Sequence, residues 1–169
     1  MNAHTVSINT SLQEIGRILT DRGLKICVVE TAAGGLISSR LVSVNGASAW
    51  FDGGVVAYSN RSKVEHTGIS EEAIVQMGAV SADTTRLMAM WARDRSKVDV
   101  CLAESSLSYK RPGARSTKPA GLSFIAIAHS FREVRCNEYL FHGDRLDIME
   151  QIADRAVVDL LVSLRSVEA

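Results

Sequence analysis

Thr31 stands at the end of an apolar run, Val28-Val29-Glu30-Thr31-Ala32-Ala33-Gly34-Gly35-Leu36, followed by two alanines and two glycines. Thr31 sits where a strand turns into a helix. The first backbone N–H groups of a helix have no internal partners, so they can hold a phosphate, a carboxylate or a reaction oxyanion. The same pattern also describes an ordinary tight turn with a threonine N-cap, and local sequence leaves both readings open. Tyr58-Ser59-Asn60 closes a second apolar run, at the kind of strand terminus where α/β proteins gather functional groups. Lys110, Arg111, Arg115 and Lys118 lie in the irregular stretch 104–120, beside Pro112 and Pro119. They read either as a phosphate clamp or as a solvated loop. His66, His129 and His142 lack a ligand spacing, so no metal site is expected, and Trp50 and Trp91 read as packing residues.

The elements that must position these residues follow from periodicity. Ile8, Leu12, Ile15 and Leu19 recur at helical steps and predict a helix over 8–22 that stops at Gly23. Residues 24–29 predict a strand, and Leu36, Ile37, Leu41 and Val44 a helix immediately after the Thr31 turn. A second strand is expected over 53–58, a short helix from Ser70 to Gly78, and a longer one capped by Ser81. Strands over 98–103, 122–128 and 133–141 follow, the last two as an antiparallel hairpin near Ser130. A helix opening at Asp144 carries a wide apolar stripe from Leu146 to Leu164. This order predicts an α/β fold, a three-layer α/β/α sandwich with a mixed, mainly parallel sheet.

The 169 residues suit a single domain over 1–169. Nineteen basic residues balance nineteen acidic ones, which points away from nucleic acid and anionic membranes and toward a small neutral or mixed-charge ligand. Cys27, Cys101 and Cys136 are odd in number and sit in apolar runs, as core residues of a reducing compartment would. The N-terminus carries no export pattern and no segment reaches the ~20 apolar residues of a membrane span, so a cytoplasmic protein is expected.

Six separated segments match one family pattern: Glu30 to Leu36, Ser48-Ala49-Trp50-Phe51, Tyr58-Ser59-Asn60-Arg61-Ser62-Lys63, Gly78-Ala79-Val80-Ser81, Lys118-Pro119-Ala120-Gly121 and Gly143-Asp144-Arg145. In this order they resemble the C-terminal domain of the CinA competence/damage-inducible family. The resemblance implies an α/β/α sandwich and, in active members, hydrolysis of the carboxamide of nicotinamide mononucleotide to nicotinate mononucleotide and ammonia, with no cofactor. By position it implies Thr31 as nucleophile, Lys63 as its base and Tyr58 assisting. Glu30, Ala32, Ala33, Gly34, Gly35, Asn60, Ser105, Ser106, Lys110 and Arg111 would line the substrate site, with the amides of Ala32 to Gly34 as candidates for an oxyanion hole. Thr31 replaces the family's serine, Ala33 replaces a threonine, and Ser105 to Ala114 keep only one glycine of a glycine-rich loop. The chain is therefore expected to be a weak or altered amidase, or else an inactive relative that binds a nucleotide-like ligand or a partner protein; the sequence leaves room for a homo-oligomer.

Overall fold

The computed structural model describes residues 3–109 and 117–166. Helix α1 (Ala3–Asp21) leads into β1 (Ile26–Glu30), α2 (Leu36–Val42), a 3-10 turn (Ala47–Ala49) and β2 (Phe51–Val56). Three helices follow, α3 (Asn60–Thr67), α4 (Glu71–Met77) and α5 (Ala82–Ser96). The chain ends with β3 (Val100–Ser106), β4 (Leu122–His129), β5 (Arg132–Leu140) and α6 (Arg145–Arg165).

The sheet order is β2-β1-β3-β4-β5. β1 pairs in parallel with β2 and β3, while β4 runs antiparallel to both of its neighbours, so four of the five strands share one direction. Strands β1 and β3 are buried on both faces and read as continuous apolar runs, whereas the edge strands β2 and β5 alternate. The two faces differ in side-chain size. Ile26, Val28, Val100, Leu102, Ile125 and Ile127 meet α1, α2 and α6 on one side. Cys27, Cys101, Ala103, Ala126 and Ala128 meet Met88, Ala89 and Ala92 of α5 on the other. Small residues there let α5 approach the sheet closely. Cys27 and Cys101 are buried as expected, and Cys136 is half-buried. No helix of the described residues is long and apolar enough to cross a membrane.

Several expected boundaries move. Strand β1 starts at Ile26 because the Leu24 amide closes α1 on Leu19, and β2 ends at Val56, which leaves Tyr58 outside it. Helix α2 starts at Leu36, so Thr31 belongs to a turn and caps no helix. Helix α3 has no counterpart in the sequence reading. Its eight residues, Asn60 to Thr67, bury Lys63 and Thr67, and Val64 is their only apolar member, so no apolar stripe announces it. Strand β3 runs on to Ser106, into the stretch expected to be irregular.

Candidate active site

The chain leaves β1 through α2 toward β2 on one side, and returns from β2 through α3, α4 and α5 to β3 on the other. The carboxyl ends of β1 and β3 therefore lie at a topological switch point, where α/β sheets open a crevice. Val29 pairs with Ala103, so the next residues along the register, Glu30 and Glu104, end their strands side by side.

Both carboxylates are fully buried and surrounded by donors. Glu30 accepts the amides of Gly35 (2.8 Å), Ile37 (3.0 Å) and Ser38 (2.8 Å) and the Ser38 hydroxyl (2.6 Å). It fixes the turn, in which Gly34 (φ 65°) and Gly35 (φ 103°) adopt left-handed backbone that a side chain would strain. Both Glu30 oxygens are thus engaged within the turn.

Glu104 does the same for the preceding residues. One oxygen accepts the Thr31 amide and, at 2.9 Å, the Ala33 amide. The other accepts the Ser106 hydroxyl at 2.7 Å and lies 3.4 Å from the Thr31 hydroxyl oxygen. The Ser106 amide approaches that hydroxyl from a second direction, also at 3.4 Å. Burial raises the Glu104 carboxyl above the ordinary carboxylate range; bonds from Ala33, Ser106 and Thr31 pull it down and Glu30 adds to the rise. Of the amides expected to form an oxyanion hole, that of Ala33 is therefore occupied.

Thr31, Ala32, Tyr58, Asn60, Lys63 and Ser106 line one cleft of about 240 Å³, together with Ala79, Tyr109 and Arg145. Lys63 is only 3% exposed. Its Nζ donates to the Ala79 carbonyl at 3.0 Å, and among the described residues it makes no hydrogen bond to Thr31. Burial holds its ammonium below the ordinary lysine range, and the Glu104 charge opposes that shift. Tyr58 is 62% exposed, at the mouth, with its hydroxyl accepting from Arg145 at 2.8 Å. The Ser105 hydroxyl donates to the Ala79 carbonyl (2.7 Å), and Ser105 is not among the residues lining the cleft. Gly34 and Gly35 shape the turn behind it. Lys110 and Arg111 lie outside the described residues, as does Arg115, while Lys118 donates to the Val80 carbonyl.

A separate cleft of about 340 Å³ is lined by Cys27, Asp52, His66 and Arg95, but its charged groups are exposed and no buried charge faces it. The described residues contain no group of three His, Cys, Asp or Glu able to hold a metal ion. Sequence reasoning missed Glu104 and Arg145. The available signal for Glu104 was a carboxylate ending an apolar strand, as Glu30 does on β1.

Fold and site define an α/β/α protein that sets a hydroxyl, a carboxylate and a buried ammonium at the carboxyl ends of its parallel strands. The chain belongs to the CinA C-terminal domain family, whose profile matches residues 8–164. A protein of Halothermothrix orenii named as competence-damage inducible is 39% identical over 137 residues, covering 80% of this chain and 33% of that one. A CinA-like protein of Syntrophus aciditrophicus is 37% identical over 147 residues, 86% of this chain and 34% of that one. The crystal structure of a competence/damage-inducible protein from Agrobacterium tumefaciens superposes with a TM-score of 0.86 at 29% identity, covering 94% of this chain and 95% of that one. The chain spans about a third of the length of these curated relatives.

Proposed function

We propose that the protein hydrolyses a carboxamide of the kind carried by nicotinamide mononucleotide, releasing ammonia. The observation that carries this reading is that Thr31 and the buried Lys63 line the same cleft at the switch point of the sheet. A hydroxyl nucleophile needs a proton acceptor and its reaction needs positive charge for the developing oxyanion. Lys63, held on the Ala79 carbonyl, supplies that charge in a site shielded from water. The cleft, at about 240 Å³, is smaller than a typical ligand-binding cavity and suits a pyridine ring with the rest of a nucleotide over the rim. There Tyr58 offers an aromatic face and Arg145 a guanidinium for a phosphate.

One observation favours a second reading, in which the cleft binds a nucleotide-like ligand without turnover. Glu104 occupies the Ala33 amide, one of those that an oxyanion would otherwise use. Ammonia release from nicotinamide mononucleotide at high enzyme concentration separates the two readings, with Lys63→Ala as the control for contaminating activity. Release that is lost in the variant supports the amidase. Absence of release from both proteins, combined with a rise in melting temperature on adding the nucleotide, supports the binding protein.

A further inference from the structure

Resting on the amidase reading, we infer that Glu104, and not Lys63, is the group that takes the proton from Thr31. Its Oε2 lies 3.4 Å from the Thr31 hydroxyl oxygen, whereas Lys63 donates to a backbone carbonyl. All four polar partners of Glu104 are donors: two amides, the Ser106 hydroxyl and the Thr31 hydroxyl. Such a set suits an acceptor-only carboxylate, to which both amides and both hydroxyls can donate. The Ser106 hydroxyl and the two amides fix the carboxylate, as a third group orients the base in other hydroxyl-nucleophile sites. Burial raises its proton affinity, which makes it a stronger base than a solvated carboxylate.

The reaction balances with these groups. As Thr31 Oγ1 bonds to the carboxamide carbon, its proton passes to Glu104, and the Lys63 ammonium faces the charge developing on the carbonyl oxygen. Glu104 returns the proton to nitrogen as the C–N bond breaks and ammonia leaves an ester on Thr31. Water then attacks the ester, giving its proton to Glu104, and the proton goes to Oγ1 as the C–O bond breaks. The net change is amide plus water to acid plus ammonia.

The test is acylation of the full chain by p-nitrophenyl acetate, followed by p-nitrophenol release and by mass spectrometry of the peptide carrying Thr31, as a function of pH. The charged groups facing Glu104 are Glu30 on β1 and Lys63 on α3, so the profile is recorded for wild type, Glu104→Gln, Glu104→Asp and Lys63→Met. Glu104→Gln is expected to slow acylation by about 10²- to 10⁴-fold and to abolish the fall in rate on the acid side. Glu104→Asp keeps the charge, restores part of the rate and retains the acid limb, and it carries the test if the glutamine variant does not fold. Lys63→Met lowers the rate and retains the acid limb. Wild-type acylation that Glu104→Gln leaves unchanged, or that Glu104→Asp leaves unchanged where it alone folds, overturns the Glu104 assignment and spares the nucleophile. Absence of an acyl group on Thr31 in the wild type overturns both.

Discussion

The methyl group of Thr31 restricts χ1 and crowds the carbon under attack, while Glu104 and the Ser106 amide already constrain the hydroxyl. Thr31→Ser is therefore expected to raise kcat for ammonia release by about tenfold, equivalent to about 1.4 kcal/mol off the barrier. Lys63→Ala removes the buried positive charge and is expected to abolish turnover. A serine variant no faster than wild type, together with an active Lys63→Ala, would sink this site assignment. Glu30 acts through stability instead. In Glu30→Gln an amide group must face two of the donors that the carboxylate now satisfies, at an expected cost of about 2–4 kcal/mol in urea unfolding.

At the scale of elements, β2 is held against the turn by the absence of a side chain. A Cβ on Gly54 would stand 2.3 Å from the Ser38 hydroxyl oxygen, the same oxygen that donates to Glu30 at 2.6 Å. Gly54→Ala is thus expected to destabilise the fold by about 1–3 kcal/mol through overpacking. Removing the hydroxyl relieves the clash, so Ser38→Ala combined with Gly54→Ala should cost less than the sum of the single changes. Strict additivity in a denaturation cycle would show that β2 does not press on this turn. The cycle matters for function because Ser38, Glu30 and Thr31 belong to one bonded unit, and a shift in β2 would be felt at the nucleophile.

For the molecule as a whole, the acid side of the stability curve is set far from the cleft. His129, at the end of β4, is buried, and its Nε2 lies 2.9 Å from Ser163 and 2.6 Å from Arg132. The bond from the Arg132 guanidinium assigns the ring proton to Nδ1, which has no partner among the described residues. Burial, with Arg132, Arg93 and Arg135 nearby, lowers its pKa from 6.5 to about 4. The unfolded chain therefore takes up this proton first as pH falls. Stability from this group is complete above pH 6.5 and is lost between there and about 4, by about 2 kcal/mol once water screening is allowed for. Urea unfolding near pH 7 and near pH 4.5 should show the loss in wild type and a flatter response in His129→Gln. An equally steep loss in the variant would assign the acid sensitivity to other groups.

The sequence by itself determined the helices with apolar stripes, the buried central strands, the β4–β5 hairpin and the turn at Thr31. Each is written in a periodicity or a turn chemistry that acts over a few neighbouring residues. It also put Thr31, Tyr58, Asn60 and Lys63 in one group through the segments that resemble the family, and all four line the cleft. It did not show α3, whose buried residues are Lys63 and Thr67 and whose single apolar residue is Val64, because no apolar stripe accompanied the Ser59 and Gly68 caps. Tertiary structure alone decided the partners. Glu104 is 73 residues from Thr31 and Arg145 is 87 from Tyr58, and neither contact has a local signature. They arise because parallel pairing of β1 with β3 sets the two strand ends side by side, and because α6 packs back across the sheet. Which group can take the proton of a hydroxyl depends on a separation of a few ångströms, and only the packing of distant elements sets such a distance.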